Sequence, residues 1–152
     1  MEKLKFKKDI NASAEAVYNT MLGIKNIKTY EEWTSIFNPT STYIGNWKKD
    51  SKIYFVGTDE NGKNGGMVSE IAENIPFKFV SIRHYGILDG DKEIIEGAKV
   101  EKWTGGFENY YFDENNGLTT VTIEVDAMED FIDFFKNTFP KALNKLKEII
   151  EK

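Results

Sequence analysis

The sequence predicts an α+β fold in which a curved, seven-stranded antiparallel sheet wraps around one long C-terminal helix. Residues 128–152 repeat apolar side chains at the 3.6-residue spacing of an amphipathic helix. Most of residues 42–126 instead alternates apolar and polar side chains with a period of two, which is typical of half-buried strands. Short turns join these strands without helical crossovers, so neighbouring strands are expected to pair antiparallel.

Length and composition favour one domain that spans residues 1–152. The chain is 40% hydrophobic and has three prolines, as expected of a folded globular domain. Its net charge of −5 argues against a nucleic-acid partner, which would require clustered Lys and Arg. The chain has no cysteine, which excludes disulfides and thiolate chemistry. Neither a signal peptide nor a membrane-spanning run is evident, so a cytoplasmic location is expected.

The N-terminal part predicts one strand followed by two short helices. Residues 3–10 alternate as a strand does, and Ser13 is a candidate N-cap for a helix that runs to Met21. Gly23 ends that helix, and residues 24–37 give a second helical segment before an Asn-Pro pair.

Six further strands are predicted after the two helices. Glycine, proline and asparagine mark the turns between most of them, as in consecutive hairpins. The predicted strands are 42–47, 52–58, 66–73, 76–86, 107–112 and 118–126. Residues 87–104 follow neither the 3.6-residue spacing of a helix nor the two-residue alternation of a strand. We therefore expect a turn at 89–91 and a short helix that Trp103 anchors.

The C-terminal helix carries aromatic side chains in its first half and aliphatic ones in its second. Pro140 lies on its polar side and predicts a kink, with a break into two helices at residues 137–138 as the alternative. Phe131, Phe135 and Phe139 are either ordinary core or the roof of a ligand cavity.

Charged residues on the strands predict which side chains face the helix. Glu70 and Arg83 should point outward, and the last strand should turn Val121, Ile123 and Val125 inward. In residues 107–112 both alternating sets contain aromatics, and we choose the set with the glutamate as inward. The predicted inward residues of the other three strands are Met67, Ser69, Ile71, Val80, Ile82, His84, Glu108, Tyr110 and Phe112.

These assignments bring His84 and Glu108 together on the inner face, where charged groups need partners. The two side chains then form a structural pair, a site that orients a polar ligand, or an acid–base pair for catalysis. A serine triad would have to use His84, the single histidine, and the Gly-x-Ser-x-Gly elbow is absent. The spacings of common metal sites are also absent, so neither a metal nor a cofactor is expected.

Five stretches of the chain resemble the START-like, helix-grip superfamily, also called SRPBCC. They are SAEAVYNTM, TYEEWTSIFNPTSTYIGNWKKDSKIYF, GGMVSEIAENIPFKFVSIRHYG, EKWTGGFENYYF and FPKALNKLKEII. Within that superfamily the chain is similar to the bacterial branch named for homology to the activator of the heat-shock-protein-90 ATPase. The resemblance implies a deep apolar pocket between the sheet and the last helix, in a superfamily that includes lipid carriers, hormone-binding proteins, polyketide cyclases and chaperone-activating domains.

We therefore expect the protein to bind a small hydrophobic or amphipathic molecule rather than to act as an enzyme. The alternatives are a polyketide cyclase or dehydratase that uses His84 and Glu108, and a chaperone-interacting module. Either a monomer or a homodimer is compatible with the sequence. The residues expected to line the pocket are Trp33, Phe37, Trp47, Phe55, Met67, Ile82, His84, Glu108, Tyr110, Phe131 and Phe135.

Overall fold

The computed structural model describes residues 1–101 and 106–152, and within them eight antiparallel strands form one sheet. The order across the sheet is β1-β8-β7-β5-β4-β3-β2, with β6 paired to β5. The strands are β1 (Glu2–Ile10), β2 (Thr42–Gly45), β3 (Lys52–Thr58), β4 (Asn64–Ile75), β5 (Phe79–Asp89), β6 (Lys92–Ile94), β7 (Gly106–Asn115) and β8 (Leu118–Ala127). The predicted antiparallel sheet and C-terminal helix are confirmed.

Two short helices separate β1 from β2, as predicted. Ser13 caps the first helix, because its side chain accepts a hydrogen bond from the amide of Ala16 at 3.1 Å. Gly23 ends the same helix in the left-handed conformation, at φ 67°. In the described part of the chain the helices are α1 (Ala14–Leu22), α2 (Ile27–Thr34), α3 (Ala98–Glu101) and α4 (Ile132–Ile150).

The segment after β4 contains one strand more than predicted. β5 continues to Asp89, turns at Gly90 with φ 64°, and returns as β6. One edge of β5 is thereby shared, since β7 pairs with its first half and β6 with its last three residues. The predicted turn and short helix are present, and Val100 of α3 is buried. Trp103, the predicted anchor, lies outside the described residues.

The C-terminal helix α4 is continuous through Pro140, so the alternative of two separate helices is wrong. A proline leaves the carbonyl four residues earlier without its helical partner. Both Pro140 and Lys136 are exposed, so that carbonyl lies on the solvent side of the helix. A single turn of 3-10 helix, Glu129–Phe131, precedes α4.

Burial along α4 is uneven. The helix packs against β1, α1 and α2, and its C-terminal half buries Ala142, Leu143 and Leu146. Its N-terminal end is looser, because Phe134 is 45% exposed and Phe131, just before the helix, is 36% exposed. The space beneath the helix therefore opens at its N-terminal end.

The predicted facing of β7 is confirmed. Tyr110 and Phe112 are buried, whereas Tyr111 between them is exposed. On the outer face, Arg83 Nε donates to Glu70 Oε1 at 2.7 Å, which agrees with the outward placement of both charges. The inner face of the sheet, defined here as the face that α4 covers, therefore includes Glu108.

Candidate functional site

A cavity of about 210 Å³ lies between α2, the N-terminal part of α4 and the inner face of the sheet. Met1, which is 62% exposed, and Phe131 mark the side where the cavity meets solvent. The residues that line it are Met1, Tyr30, Trp33, Thr34, Phe37, Ser41, Phe55, Met67, His84, Gly106, Glu108, Tyr110, Val125, Asp126, Met128, Phe131, Phe135 and Phe139.

Most of the residues expected at the pocket line this cavity. They are Trp33, Phe37, Phe55, Met67, His84, Glu108, Tyr110, Phe131 and Phe135. Trp47 and Ile82 do not line it. The Trp47 indole Nε1 donates to the Leu22 carbonyl at 3.0 Å, which holds the ring in the packed core beside α1. Ile82 faces inward but pairs with Ile71 deeper in the core, where it is 1% exposed.

Several lining residues were not among those expected. Tyr30 and Thr34 lie on α2 with Trp33, and their spacing of three and four residues places them on one helix face, whereas Phe37 follows the end of the helix. That spacing could have identified them. Val125 was assigned inward by strand alternation but not to the pocket. Phe139 was a candidate for the roof of a cavity but was not counted among the pocket residues. Nothing in the sequence pattern distinguishes the remaining ones, which are Met1, Ser41, Gly106, Asp126 and Met128.

Four polar side chains form a connected line across β4, β5 and β7. Ser69 Oγ lies 2.6 Å from His84 Nδ1, and His84 Nε2 lies 3.4 Å from Glu108 Oε1. The Tyr110 hydroxyl donates to the other carboxylate oxygen, Glu108 Oε2, at 2.5 Å. Antiparallel pairing produces this alignment, since Ser69 lies opposite His84 in the sheet.

The line of hydrogen bonds defines the role of each side chain at the cavity wall. Ser69 is fully buried and lies behind the imidazole, away from the cavity lining. Because the Glu108 carboxylate near Nε2 is an acceptor, we assign the proton of the neutral imidazole to Nε2, and the Ser69 hydroxyl then donates to Nδ1. His84 and Glu108 side chains are 15% and 20% exposed and present their remaining polar surface to the cavity.

Two tyrosines beside Glu108 remain neutral donors over the physiological range. Burial raises the pKa of Tyr110 well above its ordinary value, and the negative charge of Glu108 raises it further. The same two causes, in the same order, raise the pKa of Tyr30. Both hydroxyls therefore keep their protons and supply no charge to the cavity.

Aromatic rings form most of the remaining wall. The ring centroids of Phe55 and His84 are 6.0 Å apart, and those of Tyr30 and Phe55 are 6.3 Å apart. On the helix side, the centroid of Phe139 lies 5.4 Å from that of Phe135. The cavity thus has one polar wall and otherwise apolar, polarisable walls, the usual design of a small-molecule site.

The second carboxylate of the lining, Asp126, is occupied by structural contacts. Its Oδ2 accepts a hydrogen bond from the Phe107 amide at 2.9 Å, and its Oδ1 lies 3.3 Å from Lys3 Nζ. Glu108 is therefore the carboxylate that remains available to a bound molecule.

The described residues lack two other kinds of feature. Across residues 1–101 and 106–152, no three His, Asp or Glu side chains are grouped so that they could hold a metal ion. No helix in the same part of the chain has the length and apolar character that crossing a membrane requires.

Comparisons with known proteins place the fold. No protein-family model matches the chain, and no curated protein matches it. Among solved structures, it is similar to the Aha1 dimer from Colwellia psychrerythraea, with a TM-score of 0.70 and 20% identity over 99% of this chain and 97% of that one.

Two further solved structures show the same architecture. A protein from Nitrosomonas europaea has a TM-score of 0.71 and 12% identity, over 98% of this chain and 94% of that one. DynU16, a protein in the dynemicin biosynthetic locus, has a TM-score of 0.69 and 10% identity, over 100% of this chain and 48% of its own. At these identities the likeness shows the fold alone, and that fold is the expected helix-grip arrangement.

Proposed function

We propose that the protein binds a small hydrophobic or amphipathic molecule in the cavity beneath α4. The observation that carries the proposal is the cavity itself, which is aromatic on most sides and polar at Glu108 and His84. Apolar walls supply affinity through the burial of ligand surface, and a few placed polar groups supply orientation.

The cavity volume limits the size of the ligand. At about 210 Å³ it exceeds the roughly 150 Å³ that accommodates benzene in an engineered apolar cavity. It is smaller than the roughly 300–1,000 Å³ of pockets that take drug-sized ligands. A molecule of one or two rings therefore fits better than a sterol or a long acyl chain.

Native mass spectrometry of gently purified protein tests the proposal, with the expectation that a small molecule is retained. Replacing Met67 by Trp should fill the cavity and remove the bound mass, because Met67 lines it. Tyr111→Trp is the matched control, since Tyr111 lies on the outer face of the sheet and should leave binding unchanged. If the wild type retains no ligand and a panel of one- and two-ring compounds does not raise its melting temperature, the proposal is wrong.

We also propose that the chain belongs to the START-like superfamily, in the branch homologous to the activator of the heat-shock-protein-90 ATPase. The quoted motifs and the likeness to the Aha1 structure support this placement. A chaperone-interacting module is the alternative role that this membership suggests, and a stoichiometric pull-down of the chaperone is its test. The Aha1 structure is a dimer, so light scattering should decide between a monomer and a homodimer here.

A second candidate function is proton transfer in a cyclisation or dehydration. The approach of His84 Nε2 to within 3.4 Å of Glu108 Oε1 at the cavity wall favours it. An imidazole and a carboxylate in contact can take and return a proton when a substrate lies against them. In that case His84→Gln protein should co-purify with a substrate that is one water molecule heavier than the wild-type product of a dehydration, or with an isomer of different chromatographic retention if the reaction is a cyclisation alone. A pure binding protein would retain the same molecule in both forms.

A further inference from the structure

Acidic side chains outnumber basic ones among the ionisable residues that line the cavity. Among the described residues that line it there are two carboxylates, Glu108 and Asp126, and one imidazole, His84, but no Lys or Arg. Met1 is 62% exposed at the solvent side, where water screens any charge on its backbone amine. Lys3 balances the charge of Asp126, so Glu108 is the carboxylate of the described lining that has no permanent cation beside it.

Glu108 has hydrogen-bonding capacity left for a ligand. A carboxylate has two oxygens with about four acceptor positions between them. Tyr110 fills one position at 2.5 Å, and the contact of His84 Nε2 at 3.4 Å is long for an N–H···O hydrogen bond. The tyrosine is a neutral donor, so it satisfies an oxygen without cancelling its charge. A carboxylate in a largely dehydrated site is costly until a positive group comes close to it.

The aromatic walls favour the same sign of charge. The faces of aromatic rings carry negative electrostatic potential and attract ammonium groups within about 6 Å. Tyr30, Trp33 and Phe55 line the cavity together with Glu108. A group that enters beside the carboxylate thus shares the cavity with three aromatic rings, and proteins that bind quaternary or protonated amines combine the same kinds of side chain.

We infer that the molecule bound here is a protonated alkyl- or arylalkylamine, held through its positive group by Glu108 and the nearby aromatic side chains. The inference rests on the proposed binding function and adds the charge class of the ligand. Carboxylate- and phosphate-bearing molecules of similar size are rejected, because Glu108 would repel them and no Lys or Arg among the described lining residues would attract them.

Three indole compounds of nearly equal size test the inference. Tryptamine is a cation at pH 7, tryptophol is neutral and indole-3-acetate is an anion, and each is titrated into the protein by calorimetry at fixed ionic strength. Tryptamine should bind about tenfold more tightly than tryptophol, the gain typical of a charge-assisted hydrogen bond after desolvation of the amine. Indole-3-acetate should bind most weakly.

A pair of variants then separates the contribution of Glu108 from that of the overall charge. Glu108→Gln should remove the preference for tryptamine while tryptophol still binds. Glu124→Gln changes the net charge equally but lies on the outer side of β8, where Tyr111 and Lys5 contact the carboxylate. It should therefore leave the ranking intact. If Glu108→Gln does not fold, the ranking of the three compounds on wild-type protein decides, since the probes differ chiefly in charge.

The outcomes distinguish the two levels of the proposal. Tight binding of tryptophol with no advantage for tryptamine would overturn the charge inference and leave the binding function standing. A preference that Glu124→Gln removes as completely as Glu108→Gln would also overturn it, because the effect would then come from the overall charge. Failure of all three compounds, with no small molecule retained in native mass spectrometry, would overturn both.

Discussion

Replacing Ser69 by Ala should release the imidazole of His84 from its fixed orientation. The Ser69 hydroxyl is fully buried and lies 2.6 Å from His84 Nδ1, behind the cavity wall. Without it, Nδ1 has no hydroxyl partner, and the proton is no longer confined to Nε2. The ring should then sample both tautomers and hold Glu108 less firmly.

The size of the effect follows from the cost of removing one buried hydrogen-bond partner. Leaving a buried acceptor unsatisfied costs about 1–3 kcal/mol. For a chain of 152 residues, each kcal/mol lowers the melting temperature by about 2–4 °C. We therefore expect Ser69→Ala to melt roughly 2–12 °C below the wild type.

Nitrogen-15 NMR of the imidazole is the direct assay, because His84 is the single histidine and its two ring nitrogens give unambiguous signals. The wild type should show one tautomer with the proton on Nε2, and Ser69→Ala should show averaged shifts. Ser81→Ala is the matched control, a buried serine on β5 that lies opposite Asn109 rather than His84. Unchanged nitrogen shifts in Ser69→Ala would refute the assigned role of the hydroxyl.

The remaining predictions concern stability, measured as the free energy of unfolding in urea. Leu146→Ala should cost about 2–5 kcal/mol, since this side chain of α4 is fully buried against the core. A cost below about 1 kcal/mol would contradict the packing. Gly66→Ala should cost about 3 kcal/mol or more, because φ is 148° and a Cβ would collide with a carbonyl of β3, whereas Gly65→Ala meets only ordinary contact and should be mild. The raised pKa values of Tyr30 and Tyr110 predict stability that is complete below the ordinary value of 10.0 and is lost as the pH rises further, because the unfolded chain releases these protons first. Tyr30→Phe should reduce this alkaline loss, and a free energy that stays constant to pH 11 would contradict the burial of both hydroxyls.

Much of the fold could be predicted from the sequence, because each strand repeats a simple pattern. Arg83 and Glu70 identify the outer face of two paired strands, and that choice placed His84 inside. Strand β6 was missed because three residues, two of them charged, carry no periodic signal of their own. It forms only because β5 continues past its expected end and offers a free edge.

The cavity was harder to predict than the fold. Alternation determines whether a side chain faces inward, but it carries no information about depth along the strand. Ile82 and His84 therefore looked equivalent, although only His84 reaches the cavity. Trp47 was assigned to the pocket as a large aromatic, yet its indole N–H is bonded to the Leu22 carbonyl in the core. Tyr30 was omitted because the spacing of residues on α2 was used to predict which side chains are buried, and not which of them line the pocket.

The uneven burial along α4 separates the anchoring of the helix from the recognition of a ligand. Leu143 and Leu146 hold the helix to the rest of the protein, whereas Phe131 and Phe135 shape the empty space at its other end. Substituting Phe131 or Phe135 by other residues changes the volume of the cavity and leaves the contacts of Leu143 and Leu146 in place. The scaffold is therefore suited to acquiring new ligand preferences, in evolution or by engineering, through few substitutions that leave Leu143 and Leu146 in place.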